Sequence, residues 1–129
     1  MHTTRPRPRI LVVDDDLGSR TLTAIVLTEA GYSPLCVATA ARALEVLGSD
    51  QADLLLTDLV MPGVGGVDLL RILQTWSDPP PVVAVTASDD DSLIAAALRH
   101  GAIAVLRKPV SIDMLSAAVE DALGHRRAA

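Results

Sequence analysis

The sequence predicts an α/β protein: five βα units forming a (βα)5 doubly wound sheet of five parallel strands with helices on both faces. Three observations carry this prediction. Short apolar runs of strand length alternate with longer segments whose apolar residues recur at helical spacing, the pattern of a helix-covered parallel sheet. Glycine follows three of the helical segments, at Gly31, Gly48 and Gly101, where a helix commonly stops. Residues able to do chemistry, Asp14, Asp58, Thr86 and Lys108, stand at the ends of four of the apolar runs.

The first unit opens with Ile10 to Val13, a continuous apolar run that reads as a strand buried on both faces. A helix from about Ser19 to Ala30 follows, with Leu22, Ile25 and Val26 expected to share its core face. The second unit runs from a strand at Ser33 to Ala38 through Thr39, an N-cap residue, into a helix presenting Ala43, Leu44 and Leu47 and closed by Gly48. In the third, Asp53 to Thr57 is a strand ending at Asp58. The stretch Met61-Pro62-Gly63-Val64-Gly65-Gly66 is too rich in glycine and proline for anything but a loop, and a helix from about Val67 to Thr75 comes after it.

The fourth unit begins after Pro79-Pro80-Pro81 with Val82 to Val85, reaches Thr86, and continues into a helix from about Asp89 to His100. The triple acid Asp89-Asp90-Asp91 caps that helix, and the run Leu93 to Leu98 is apolar around so much of it that part must be exposed. The fifth unit is Ile103 to Leu106, then Lys108-Pro109, then a helix from Ser111 to about Leu123 with Met114, Leu115, Ala118, Val119 and Ala122 on one face. No linker, second domain or low-complexity segment interrupts the series.

Composition narrows the function. At 129 residues the chain is long enough for one core without disulfides or a structural metal. Tyr32 and Trp76 are the only aromatic residues, so that core is Val, Leu, Ile and Ala. The single cysteine, Cys36, excludes an internal disulfide and reads as a small core residue in a reducing compartment. A net charge of −5 with scattered arginines argues against nucleic-acid binding through a basic face. No apolar run approaches the roughly 20 residues that a membrane-spanning helix needs, so no membrane partner is expected.

In an open parallel sheet, ligands bind beyond the carboxyl ends of the strands, where strand order reverses. Asp14, Asp58, Thr86 and Lys108 are all expected at that edge. Several carboxylates brought together stay ionised only with a cation among them, and oxygen ligands at a half-exposed rim suit Mg²⁺. Lys108 is the one lysine among eleven basic residues, the other ten being arginine. A compact point charge on a flexible stem serves a single phosphoryl oxygen in a way the wide guanidinium fork does not. Lysine, hydroxyl and carboxylates together suit the charge of a phosphoryl group in transfer.

These residues fall in Ile10-Leu11-Val12-Val13-Asp14-Asp15, Thr57-Asp58-Leu59-Val60-Met61-Pro62-Gly63, Val85-Thr86-Ala87 and Lys108-Pro109. Each motif alone is weak. In this order they resemble the receiver domain of two-component response regulators over essentially all of Arg9 to Leu123. The resemblance implies a flavodoxin-like sheet of strand order 2-1-3-4-5, with an N-terminal arm at 1–8, the domain at 9–124 and a tail at 125–129.

It further implies that Asp58 accepts a phosphoryl group from a histidine kinase or phosphotransfer protein. Mg²⁺ is then bound directly by Asp15, Asp58 and the Val60 carbonyl, and by Asp14 through water. Thr86 and Lys108 engage the phosphoryl oxygens, and the Lys108–Pro109 bond is cis, a state found in only about 5–6% of such bonds. Signalling would pass to a downstream protein through the fourth helix, fifth strand and fifth helix, in the cytoplasm, with a weak homodimer compatible with the family. The expected chemistry is self-catalysed phosphoryl acceptance and autodephosphorylation, not turnover of a separate substrate. Because the sequence ends just past the fifth helix, a single-domain regulator is expected, the alternative being the receiver of a larger hybrid kinase.

Some positions depart from the family pattern. Val105 stands where many receivers carry Tyr or Phe, and valine is stiff and short. Gly65 replaces a common aspartate. Val60 and Ser88 occupy positions that tune attack of water on the acyl phosphate, and an apolar Val60 can neither orient nor donate to that water. Two other readings compete: a haloacid dehalogenase-type phosphatase with Asp14 as nucleophile in Asp14-Asp15-Asp16, and a flavin-binding module of similar fold.

Overall fold

The computed structural model describes residues 7–128, which leaves most of the expected N-terminal arm outside the described residues. Ten elements follow in strict alternation: β1 (Arg9–Val13), α1 (Leu17–Glu29), β2 (Ser33–Val37), α2 (Ala40–Ser49), β3 (Leu54–Asp58), α3 (Gly66–Leu73), β4 (Val82–Thr86), α4 (Asp91–Arg99), β5 (Ala102–Arg107) and α5 (Ile112–Ala128). All strand pairings are parallel, in the order β2-β1-β3-β4-β5. None of the described helices is long and apolar enough to cross a membrane.

Strand pleating divides the core in two. Leu11, Val13, Leu55 and Ala84 face α2, α3 and α4, meeting Ala43, Leu69, Leu70, Leu73 and Ala97. Ile10, Val12, Leu54, Leu56 and Val83 face α1 and α5, meeting Leu27, Leu115, Val119 and Ala122. The strands are thus covered on both faces, which is why they read as unbroken apolar runs.

Register aligns the ends that matter. Val13 pairs with Thr57, Asp58 with Val85, and Thr86 with Arg107, so the residues following β1 and β5 and those closing β3 and β4 share one rim. β1 lies between β2 and β3, and the order reverses there.

The structure corrects several details of the sequence reading. The core face of α1 is misplaced: Leu22 and Ile25 are 64% and 51% exposed, Val26 is half-buried, and Leu27 is the buried residue. Arg20 fixes the helix phase, since its guanidinium donates to the Asp14 carbonyl at 2.8 Å and so must face the sheet edge. α1 also starts earlier, capped by Asp16, whose Oδ2 accepts from the Ser19 N–H at 2.7 Å. Gly48 lies within α2, which ends after Ser49. Met114 is exposed while Leu115, Val119 and Ala122 pack inward. The backbone of α5 continues to Ala128 through most of the stretch expected as a tail.

Gly66 opens α3 against the backbone of β3. A Cβ there would lie 2.4 Å from the Asp58 carbonyl oxygen and 2.8 Å from the Leu59 Cα, distances that backbone atoms do not tolerate. Gly66→Ala should therefore lower stability by about 2 kcal/mol or more, through forced displacement of the loop after Asp58. Urea denaturation of the two proteins measures this, and an unchanged midpoint would show that the loop yields freely.

Candidate functional site

The loop after β1 supplies two carboxylates, β3 a third, β4 a hydroxyl, and the loop after β5 an ammonium. Asp14, Asp15 and Asp58 each place a carboxylate oxygen within 4.8 Å of the others, as a bound cation would require. Lys108 reaches into this group: Nζ is 3.1 Å from Asp58 Oδ2 and 3.3 Å from Asp14 Oδ2. Three carboxylates against one ammonium leave an excess of negative charge, and oxygen ligands of this kind fit a hard divalent cation. The structure thus brings together all the acidic residues and the lysine singled out from sequence.

Each group is held differently. Asp14 is buried, with Oδ1 accepting the Asp16 N–H at 3.0 Å. Burial pushes its carboxyl pKa upward, but the hydroxyl of Ser19, the Asp16 N–H and Lys108 together bring it below the usual carboxylate value. Lys108 is the reciprocal case. Burial lowers its pKa, and bonding and attraction to Asp58 and Asp14 more than reverse this, so the ammonium is held charged. Asp15 is exposed. Asp58 Oδ1 meets only a long 3.4 Å contact from the Val60 N–H, and the Val60 side chain is 58% exposed.

Thr86 is fully buried at the end of β4. Its Oγ1 accepts the Ser88 N–H at 3.0 Å, and its carbonyl accepts the Lys108 N–H at 2.8 Å, so the hydroxyl-bearing and lysine-bearing loops are tied by backbone. The Lys108–Pro109 bond is cis, as expected.

Four contributions escaped the sequence reading. Ser19 Oγ accepts from Lys108 Nζ at 3.3 Å across 89 residues of sequence, and nothing in the linear pattern marks such a pair. Arg20 braces the Asp14 carbonyl, and an arginine one turn into the helix after an acidic loop is a faint signal for it. Gly66 allows the close approach described above. Arg107, at the end of β5, bridges Asp89 at 3.4 Å and Asp91 at 3.0 Å. The acid triplet is thus divided: Asp90 caps α4 through Ser92 and Leu93 as expected, while its neighbours pair with Arg107.

The cleft lined by Asp14, Asp58 and Lys108 has a volume of only about 30 Å³. Flavin-sized ligands need pockets of roughly 300 Å³ or more, so the cleft between these carboxylates is too small for one. Asp14, buried and tied on both oxygens, is also poorly placed as the nucleophile of a phosphatase.

Comparison with known proteins agrees. The response regulator receiver domain family matches residues 10–120. Sporulation initiation phosphotransferase F of Bacillus subtilis is 30% identical over 112 residues, covering 87% of this chain and 90% of that protein. Transcriptional regulatory protein GlrR of Escherichia coli is 36% identical over 114 residues, 88% of this chain but only 26% of the regulator. Among solved structures, the signal receiver domain of an HD domain-containing protein from Pseudomonas fluorescens superposes with a TM-score of 0.90 at 27% identity, covering 95% of this chain and 99% of that one. The fold, the rim at the strand ends and the sequence relationships converge, and the chain belongs to the response regulator receiver domain family.

Proposed function

We propose that Asp58 accepts a phosphoryl group from the phosphohistidine of a histidine kinase or phosphotransfer protein, and that the modified site alters binding of a downstream protein. The observation that carries this reading is the setting of Asp58: it lies beside the sole lysine, among two further carboxylates, at the strand end adjoining Thr86. In the transfer, an Asp58 oxygen forms a bond to phosphorus as the donor's nitrogen–phosphorus bond breaks, leaving a mixed anhydride.

Asp15, Asp58 and the Val60 carbonyl would hold Mg²⁺ directly, and Asp14 through water. A bound Mg²⁺ supplies positive charge against the phosphoryl oxygens and the crowded carboxylates. Lys108 pairs with a phosphoryl oxygen once Asp58 is esterified. Because Thr86 Oγ1 already accepts from Ser88, its own proton is available for a second phosphoryl oxygen. The test is incubation with acetyl phosphate or a phosphorylated kinase, followed by mapping of the adduct. A label on any residue other than Asp58 would refute the assignment.

Thr86 moving toward a phosphoryl group draws the loop that precedes α4 and stretches the Arg107 bridges to Asp89 and Asp91. Val105 packs half-buried on β5 without an aromatic ring to swing, so the change stays local. With beryllofluoride, amide shifts should concentrate at Thr86 to Leu98 and be modest at Val105. Large shifts centred on Val105 and α5, with the Thr86 loop unmoved, would point to another switch. Output to the partner is placed on the α4–β5–α5 face, where Leu98 is exposed.

Autodephosphorylation should be slow, since Val60 shields the phosphoryl group without positioning a water. Val60→Asn should lose phosphate faster than the parent, followed by decay of the labelled protein; equal decay rates would remove the shielding role. The donor's phosphohistidine is made from ATP, which places the exchange in the cytoplasm. Coverage of nearly all of the Bacillus phosphotransferase supports a single-domain regulator, and the match to a quarter of GlrR supports the alternative of a receiver within a larger protein. A weak homodimer would be read by sedimentation velocity.

A further inference from the structure

We propose that Ser19 is a positioning residue for this chemistry, holding Lys108 in place through its hydroxyl; the inference rests on the reading of Asp58 as phosphoryl acceptor. An ammonium has three donors, and in Lys108 each has one acceptor: Asp58 Oδ2 at 3.1 Å, Asp14 Oδ2 at 3.3 Å and Ser19 Oγ at 3.3 Å. The first two acceptors are the carboxylates whose bonding changes during the reaction. Esterification removes the charge of Asp58, and a bound cation competes for Asp14. Ser19 alone is neutral and outside the acidic cluster, so its bond persists through those changes.

Its own position is fixed independently of the hydroxyl. The Ser19 N–H donates to Asp16 Oδ2 at 2.7 Å in the cap of α1, and Arg20 next to it is anchored on the Asp14 carbonyl at 2.8 Å. The acceptor therefore sits on a rigid first turn. A lysine side chain carries four rotatable bonds, and a fixed third acceptor confines it where a point charge is needed.

A substitution can separate this role from a structural one, because the capping bond is made by backbone. Ser19→Ala removes only the hydroxyl, so melting temperature and Mg²⁺ affinity should stay near the parent's. Phosphorylation by acetyl phosphate at saturating Mg²⁺ should slow about 10- to 150-fold, the range for losing one hydrogen bond to a charged group. Ser19→Thr should restore the rate, and the isosteric Ser19→Val should not. Since Lys108 is the only lysine, lysine labelled with ¹³C at Cε gives a single reporter. That resonance should shift and broaden in Ser19→Ala and Ser19→Val and return in Ser19→Thr. If the parent is phosphorylated on Asp58 and Ser19→Ala matches it in rate and in the lysine signal, the Ser19 role is overturned alone. A parent that takes no label overturns the acceptor reading and this one with it.

Discussion

Asp58→Asn should lose phosphorylation by about 1,000-fold or more, the scale on which removal of a nucleophile acts, while the folded chain without Mg²⁺ remains as stable as the parent or more so. The amide has nearly the shape of the carboxylate but cannot form the anhydride. Its effect on stability follows from crowding. Asp14, Asp15 and Asp58 bring three like charges within 4.8 Å, and removing one relieves repulsion that the single ammonium of Lys108 only partly offsets. The loss of one bond to Lys108 is limited, because Asp14 still receives that ammonium. Mass spectrometry after acetyl phosphate treatment reads the first effect and thermal melting in EDTA the second. Undiminished labelling would place the acceptor elsewhere. A clearly lower melting temperature would show that the Asp58–Lys108 pair matters more to the fold than the repulsion it sits in.

Much of the architecture is legible in one dimension because a parallel sheet covered on both faces needs unbroken apolar strands. Ile10 to Val13 and Leu54 to Leu56 satisfy that need and little else. The rim was legible for a related reason: a polar residue at the end of a buried run has nowhere to go but the strand end, so Asp58 and Thr86 announce themselves. The α1 face was not legible. Leu22, Ile25 and Val26 have helical spacing, yet phase is chosen by Arg20 reaching the Asp14 carbonyl and by Leu27 entering the core, contacts absent from any local pattern. Likewise the third acceptor of Lys108 is a serine whose sequence neighbourhood says only that a helix begins. Gly66 shows a third kind of limit. Its glycine character looks like loop composition, whereas the cause is the Asp58 carbonyl that a side chain would strike.

Asp15→Asn should weaken Mg²⁺ binding by at least about 100-fold, beyond the 10- to 100-fold typical of residues that only support a metal ligand. The three carboxylates are not equivalent. Asp14 is buried and engaged by Lys108 and the Asp16 N–H, and Asp58 shares the same lysine, so both enter cation binding already partly neutralised. Asp15 is exposed at the mouth of the cluster and brings its full charge. Its substitution should cost the fold little, as surface changes usually stay within about 0.5 kcal/mol. The loss of metal should slow phosphorylation at moderate Mg²⁺, with part of the rate returning as Mg²⁺ is raised, whereas Asp58→Asn recovers nothing. Calorimetry is the suitable assay, because Trp76 lines a pocket with Ala52 and Pro80 beyond the opposite ends of the strands, too far from the cluster to report on it. An unchanged affinity in Asp15→Asn would move the cation away from the acidic rim and leave Lys108 as the only charge there able to meet a phosphoryl oxygen.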